Sequence, residues 1–305
     1  MSRWPAVGTA FVLVLLLAAA GCATPESPAP PGSDTLSLFV SIPPQKFMVQ
    51  RIAGDLVSVE VMLPPGQSPA TYEPSPQQMA RLSKATALIR IGVPFEERLM
   101  TKISDTIPGL EVVDVREGIT LRRMTAHHHH DGHHHGHTHE AGAPDPHTWL
   151  DPRLAMVQAR TIHDALVRLL PEKTAELESG LDRLTTELQE ADRLVGVALE
   201  PLRGRTIYVF HPAYGYLTDA YGLEQVAVEV EGKEPSARRL AGLIEQARRD
   251  EVSAIFFQPQ FSRSSAETLA LEIGCTAVEM DPLAEDYVAN LKEMAASISS
   301  ALSVE

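Results

Sequence analysis

The most regular stretch of the chain is PEKTAELESGLDRLTTELQEADRLVGVAL, residues 171–199. Its apolar side chains recur every three or four residues, which is the spacing of one face of an α-helix. These positions are Leu177, Leu181, Leu184, Leu188, Ala191 and Leu194. One helix over this stretch would be roughly 43 Å long at 1.5 Å per residue, enough to run past two lobes. The alternative, a coiled-coil dimer, needs more heptads than this seam provides.

Strand-like and helix-like segments alternate on both sides of this helix. The β-type runs cover residues 36–42, 57–63, 87–91 and 111–115 before it, and 206–210, 225–230, 254–257 and 276–280 after it. Segments with helical spacing separate these runs, as in a parallel sheet covered by helices. The sequence therefore predicts an α/β fold of two (β/α) lobes, each with a mainly parallel sheet, joined by the long helix. The predicted boundaries are 36–170, 171–202 and 203–305.

The first residues have the pattern of an export signal. Residues 10–20 form a short apolar run that ends in Gly21-Cys22, so residues 1–21 are predicted to be a signal peptide. The small residues before Cys22 resemble a bacterial lipobox, although Ala19 occupies a place where leucine is usual. We expect Cys22 to be lipidated and residues 22–35, rich in Pro and Ser, to be a flexible tether. This predicts a periplasmic or extracytoplasmic protein anchored to a bacterial membrane; ordinary signal cleavage is the alternative.

Charge and cysteine content narrow the possible partners. The chain carries 26 Lys and Arg against 40 Asp and Glu, a net charge of −14. This balance argues against nucleic acid or an anionic lipid surface as the partner and is compatible with a cation. Beyond Cys22 only Cys275 remains, so no intramolecular disulfide is expected. Cys275 precedes a short apolar run, which indicates a buried small hydrophobe rather than a metal thiolate.

A histidine-rich segment interrupts the α/β pattern at residues 125–142. Its nine histidines are His127, His128, His129, His130, His133, His134, His135, His137 and His139. Imidazole clusters bind zinc and copper in preference to magnesium or calcium. We expect this glycine-containing segment to be disordered without metal and to offer several weak, overlapping sites. A solvated spacer is the alternative interpretation.

Three potential ligands lie at the ends of predicted strands or in a comparable loop. His211 directly follows the strand 206–210, Asp281 directly follows 276–280, and His147 lies in the loop DPHTWLDP. In open parallel sheets, ligands bind beyond the carboxyl ends of the strands. Two imidazoles and one carboxylate would supply three of the four ligands of a tetrahedral zinc site. Taken singly, each has an ordinary alternative, such as a turn-forming Asp or a hydrogen-bonded polar His.

Five motifs together resemble one known family. They are PGQSPATYEPSPQQM (65–79), DPHTWLDP (145–152), FHPAYGYLTDAYGL (210–223), EPSARRL (234–240) and MDPLAEDY (280–287). Their order is similar to that in the periplasmic zinc-binding proteins of bacterial metal ABC importers, and the resemblance covers essentially the whole mature chain. It implies two lobes bridged by a rigid helix, with Zn²⁺ held in the interlobe cleft. It further implies a monomer that delivers its cargo to the ABC-importer membrane permease.

The same resemblance assigns His147, His211 and Asp281 as metal ligands. Manganese-binding relatives generally have a carboxylate at the position of His211, so an imidazole there favours zinc. One ligand is missing, because Ala70 occupies the place where the family usually has histidine. A loop histidine, a water molecule or Glu73 could replace it.

A further departure from the family is Gln258, which stands where relatives often carry glutamate. It removes one more acidic side chain from the expected cleft.

Several functional classes are still open on the sequence alone. A His/His/Asp zinc site with an open fourth position is also the form of a hydrolase centre. The chain has neither an HExxH sequence nor a G-x-S-x-G elbow, so we expect no enzyme activity. A surface metal buffer or adhesin, and a manganese-type importer component, also stay open.

Overall fold

The computed structural model describes Met1 and residues 35–124, 142–229 and 236–303. The predicted signal peptide, Cys22 and most of the tether lie outside the described residues, and so do the nine loop histidines and the start of the EPSARRL motif. Among the described helices, none combines the length and apolar character that a membrane span needs.

The N-terminal lobe is built on a four-stranded parallel sheet. Its elements are β1 (Leu36–Val40), α1 (Pro43–Ala53), β2 (Val57–Val61), α2 (Pro76–Leu82), β3 (Ala87–Arg90), α3 (Phe95–Thr106) and β4 (Glu111–Asp114). The strand order is β2-β1-β3-β4, and every neighbouring pair is parallel. The order reverses between β1 and β3, so a crevice forms beyond their carboxyl ends.

The C-terminal lobe repeats this topology. Its elements are β5 (Thr206–Val209), α6 (Gly215–Tyr221), β6 (Glu224–Ala227), α7 (Ala237–Arg249), β7 (Ala254–Phe257), α8 (Arg263–Ile273), β8 (Thr276–Glu279) and α9 (Tyr287–Leu302). The strands are again all parallel, in the order β6-β5-β7-β8. Cys275 is half-buried rather than fully buried and is a free thiol that packs beside this sheet. The prediction of two α/β lobes with parallel sheets is confirmed.

Two long helices connect the lobes, namely α4 (Pro152–Leu169) and α5 (Thr174–Leu199). The predicted helix over 171–199 is present, but its first three residues form a separate 3-10 turn, which leaves 26 residues in α5. At 1.5 Å per residue α5 is about 39 Å long. Of the predicted apolar positions Leu194 is only partly buried, and Val195 takes its place on the buried face.

The buried face of α5 belongs to one apolar core that continues through both lobes. It packs against α1, α4 and α9. Leu38 of β1, Leu184 of α5 and Leu291 of α9 are fully buried members of this core. Because the seam is covered within the chain, α5 joins the lobes as a packed support and does not present a coiled-coil surface.

The helices α1 and α5 approach each other most closely at Gly180. A side-chain Cβ at this position would lie 2.0 Å from the main-chain oxygen of Ile52, which is far inside contact distance. Glycine therefore permits the two backbones to pack in direct contact here.

Candidate metal site

A cleft of about 410 Å³ lies between the two lobes, at the carboxyl ends of the sheets. Its walls include Ala70 and Trp149 from the N-terminal half and Gln258 and Phe261 from the C-terminal half. Both predicted histidine ligands, His147 and His211, also line it. The position agrees with the rule that ligands bind where the strand order of an open sheet reverses.

His147 is held by the Asp145 side chain, two residues before it. The Asp145 Oδ1 atom accepts a hydrogen bond from the His147 main-chain N–H at 3.0 Å and lies 2.7 Å from His147 Nδ1. Asp145 is almost completely buried, so its position is fixed by the surrounding protein. The Trp149 Nε1–H then donates to the carbonyl oxygen of Pro282 at 2.7 Å, which fastens the His147 loop to the other lobe.

His211 lies two residues after the end of β5, which stops at Val209 rather than at the predicted residue 210, and it is held at both its main chain and its side chain. Gln258, which follows β7, donates from Nε2 to the His211 carbonyl oxygen at 2.9 Å and accepts from its N–H at 3.3 Å. The imidazole Nδ1 lies 3.0 Å from Glu229 Oε2. The ring of Phe261 stacks on the imidazole, with 5.6 Å between centroids.

The two imidazoles face each other across the lobes, with ring centroids 5.3 Å apart and planes at 70°. Each Nδ1 contacts a carboxylate, an arrangement that suits the tautomer with its proton on Nδ1 and its lone pair on Nε2. Burial lowers the pKa of His147, and this effect outweighs the nearby Asp145 carboxylate, which acts in the opposite direction. The lowered pKa favours the neutral imidazole that a metal requires. The pair therefore offers two nitrogen donors to one ion.

Asp281 is placed differently from the histidines. Its Oδ1 accepts hydrogen bonds from Leu283 N–H at 2.9 Å and from Gln260 Nε2 at 3.1 Å, so the carboxylate stabilises the turn after β8. Asp281 does not line the cleft, although its neighbours Pro282 and Leu283 do. Within residues 35–124, 142–229 and 236–303, no three His, Cys, Asp or Glu side chains are grouped as ligands of one metal. The structure thus brings the two histidines together without the carboxylate.

Ala70, where the expected ligand is missing, and Glu73, one of its possible replacements, lie in different places. Ala70 lies on the cleft wall, where its methyl group supplies no donor. The Glu73 side chain is 74% exposed, and its Oε1 lies 3.9 Å from Arg98 Nε, in an ion pair at the surface. Glu73 is absent from the cleft lining. The loop histidines lie outside the described residues.

The segment that leads into His147 is anchored by main-chain pairing. Met124 N–H donates to Ala143 O at 3.0 Å, and Asp145 N–H donates to Arg122 O at 2.9 Å. We call these paired stretches, residues 122–124 and 143–145, the neck. The neck pairs the residues that flank the histidine-rich segment and ends two residues before His147.

The Arg122 side chain connects the neck to the C-terminal lobe. Its Nε lies 3.1 Å from Asp219 Oδ2 on α6, and its Nη1 lies 3.4 Å from Asp145 Oδ2. The Tyr216 hydroxyl accepts from Arg122 N–H at 3.0 Å and donates to Asp145 O at 3.1 Å. The guanidinium packs directly over Gly215, where a Cβ would collide with it. Asp145 therefore has a cation beside it as well as an imidazole.

Sequence reasoning did not identify Asp145 or Glu229 as site residues. Asp145 stands inside the DPHTWLDP motif, so its spacing from His147 was a usable signal, because an Asp side chain readily bonds the main chain two residues on. Glu229 follows the carboxyl end of β6, where the strand-end rule applies. The predicted strand 225–230 ran past this residue, whereas β6 ends at Ala227.

The donor set suits zinc. Neutral imidazole is a preferred zinc ligand, and a carboxylate on the other ring nitrogen is the usual companion of a zinc-bound histidine. His147 with Asp145 and His211 with Glu229 both have this arrangement.

Comparison with known proteins gives the same assignment. The family model described as "Zinc-uptake complex component A periplasmic" (ZnuA) matches residues 38–301. The high-affinity zinc uptake system protein ZnuA of Yersinia pestis is 28% identical over 268 residues, which cover 83% of this chain and 84% of that protein. The zinc-binding lipoprotein AdcA of Streptococcus pneumoniae (strain R6) is 28% identical over 254 residues, 81% of this chain and 50% of AdcA.

A solved structure extends the comparison to three dimensions. The crystal structure of a ZnuA deletion mutant with zinc bound is 38% identical and superposes with a TM-score of 0.80, covering 89% of this chain and 100% of that one. The match of the family model spans both lobes and the connecting helices. The chain therefore belongs to the family of the periplasmic zinc-uptake complex component A.

Proposed function

We propose that this protein captures zinc outside the cytoplasm and delivers it to the membrane permease of an ABC importer. The observation that carries the proposal is the pair His147 and His211 in the interlobe cleft. Their ring centroids are 5.3 Å apart, and the Nδ1 atom of each ring contacts a buried carboxylate. The zinc-uptake proteins to which the chain is similar support the same cargo.

In this proposal His147 and His211 bind the ion through Nε2, and Asp281 is the third ligand. Asp281 has to turn toward the cleft as zinc arrives, because its Oδ1 is engaged with Leu283 and Gln260. Among the described residues no hydrogen bond to Oδ2 is present, so this oxygen is the one offered to zinc. A carboxylate beside two imidazoles completes a donor set typical of zinc.

The fourth position is assigned to a water molecule or to a histidine of residues 127–139. Ala70 cannot fill it, and Glu73 lies at the surface in an ion pair with Arg98. With water in the fourth position, the ion can leave without breaking a fourth bond to the protein, which suits a protein that must hand over its cargo.

We propose further that the chain is exported and anchored through a lipid on Cys22, and that it works as a monomer without enzyme activity. The lipobox-like sequence before Cys22 supports the anchor. Mass spectrometry of the protein purified from membranes tests it: a diacylated N-terminal peptide beginning at Cys22 is expected, and a soluble product cleaved elsewhere would contradict the anchor.

Zinc titration of substituted proteins tests the site. His147→Ala, His211→Ala and Asp281→Ala are each expected to weaken the tight site by at least about 100-fold, more than the loss of a residue that only supports a ligand. His163→Ala is the matched control, because His163 lies on α4 and pairs with Asp164 away from the cleft. Unchanged affinity and stoichiometry in the triple variant would refute the assignment. Growth of a deletion strain in zinc-depleted medium, rescued by added zinc, tests the role in import.

A further inference from the structure

The carboxylates behind the two histidines differ in their surroundings. Asp145 has the Arg122 guanidinium 3.4 Å from its second oxygen, so its charge is shared between a cation and an imidazole. Glu229 pairs with His211: among the described residues, no Lys or Arg forms an ion pair with it. The Glu229 side chain is only 4% exposed. A buried carboxylate without a cation is costly unless a positive charge arrives beside it.

The main chain fixes the place of Glu229. Its N–H donates to Phe210 O at 2.9 Å, and Val228 N–H donates to Val209 O at 2.9 Å, which continues the pairing of β6 with β5 beyond the end of both strands. This pairing sets Glu229 directly beside the residue that follows Phe210, namely His211. The alignment of carboxylate and imidazole is therefore built into the sheet.

Gln258 also contacts His211, but as a neutral amide, so it does not share the role of the Glu229 carboxylate. Both ends of the neutral Gln258 amide are used by the main chain of His211. Gln258 therefore holds the His211 backbone and adds no negative charge to the cleft. Glu229 follows β6, on the opposite side of β5 from β7, and supplies a charge that Gln258 lacks.

We propose that Glu229 is the positioning residue of His211 and that its carboxylate adds negative charge behind the imidazole that binds the dication. The inference rests on the proposed zinc site. The Glu229 carboxylate accepts a hydrogen bond from Nδ1–H, which directs the Nε2 lone pair toward the cleft and makes it a stronger metal ligand. Because Nδ1 and Nε2 lie on different sides of the ring, Glu229 acts through His211 and does not itself bind zinc. With Asp281 it brings two negative charges to the 2+ ion.

Substitution of Glu229 tests the proposal. In Glu229→Ala we expect zinc affinity to fall by about 10–100-fold, as for other residues that orient a metal-bound histidine. Glu229→Gln keeps a hydrogen-bond acceptor for Nδ1–H and loses the charge, so its zinc affinity is expected to lie between those of the wild type and Glu229→Ala. Glu224→Gln is the control, because Glu224 is an exposed residue at the opposite end of β6. Wild-type zinc affinity in Glu229→Ala would overturn the proposal.

A spectroscopic measurement separates positioning from a general structural effect. In zinc-free protein, proton–nitrogen correlation spectra of the imidazoles are expected to show His211 as the Nδ1–H tautomer in wild type and Glu229→Gln, and as a mixture in Glu229→Ala. An unchanged tautomer in Glu229→Ala would refute the proposal. If His211→Ala loses tight zinc binding and Glu229→Ala keeps it, only the role of Glu229 fails. If His211→Ala also keeps it, the zinc site itself is wrong.

Discussion

Replacing Gly180 with alanine is expected to destabilise the fold, although alanine is the better helix former. The change would gain about 0.5–1 kcal/mol, because alanine restricts the unfolded chain and favours the helix. Against this stands the new Cβ, which would lie 2.0 Å from Ile52 O and 2.7 Å from Ile52 C. Both atoms belong to the main chain of α1, so they cannot move aside as a flexible side chain would.

The size of the effect follows from these two contributions. Overpacking of a rigid contact costs about 1–3 kcal/mol, and a main-chain collision belongs at the upper end. Subtracting the helix gain leaves a net loss of about 2 kcal/mol in the free energy of unfolding. To relieve a 2.0 Å contact the two helices must separate by about 1 Å, and the resulting strain falls on the helix that joins the lobes.

The same helix provides the matched control. A Cβ at Gly196 would lie 3.7 Å from the Tyr221 ring, which is ordinary contact distance. Gly196→Ala is therefore expected to stabilise the protein by about 0.5–1 kcal/mol. Urea unfolding of the zinc-free protein, followed by circular dichroism, measures both variants. If Gly180→Ala is as stable as Gly196→Ala, the close packing of α1 on α5 is not rigid and the reasoning is wrong.

Three further predictions concern the cleft and the segment beside it. Trp149→Phe removes the donor to Pro282 O between the lobes, so unfolding of the zinc-free protein should become easier by about 1–3 kcal/mol; no change in denaturation would contradict this role. Burial lowers the pKa of His147, so as the pH decreases this imidazole is protonated in the unfolded chain before it is protonated in the folded protein. The stability of the zinc-free protein should therefore fall below about pH 6.5. Thermal melts between pH 5 and 8 should show that the melting temperature of His147→Gln falls less steeply with decreasing pH than that of the wild type. An identical decline in both proteins would argue against this role of His147. Deleting residues 127–139 should remove the weak zinc equivalents seen by calorimetry and also lower the affinity of the tight site; a tight site that is unaffected would assign water as the fourth ligand.

The fold could be predicted largely from local pattern. Apolar periodicity located the strands and the connecting helix, since a parallel sheet and an amphipathic helix impose different spacings on the sequence. The first and last residues of these elements were predicted less accurately. Pro171 was expected to open the long helix, but α5 begins at Thr174 after a 3-10 turn. Contacts between distant segments, such as Gly180 against Ile52, leave no trace in local periodicity.

The site was predictable in part, for a related reason. The strand-end rule identified His211 and the DPHTWLDP loop identified His147, and the structure brings these two side chains together. Glu229 was missed because the predicted strand extended over it, so the rule was applied at the wrong residue. The rule also identified Asp281, but its Oδ1 accepts from the Leu283 N–H two residues further on, a local turn that strand spacing does not reveal.

The neck has a consequence for how this protein can change over evolutionary time. Residues 122–124 and 143–145, which flank the histidine-rich segment, are held side by side, and Asp145 fixes His147 independently of the segment's length. Closing a loop whose ends are already adjacent depends weakly on length, with about 0.6 kcal/mol for each doubling. Histidines can therefore be gained or lost between the paired stretches at little thermodynamic cost. Lineages facing different zinc supplies could alter that number while the geometry of the cleft is inherited unchanged.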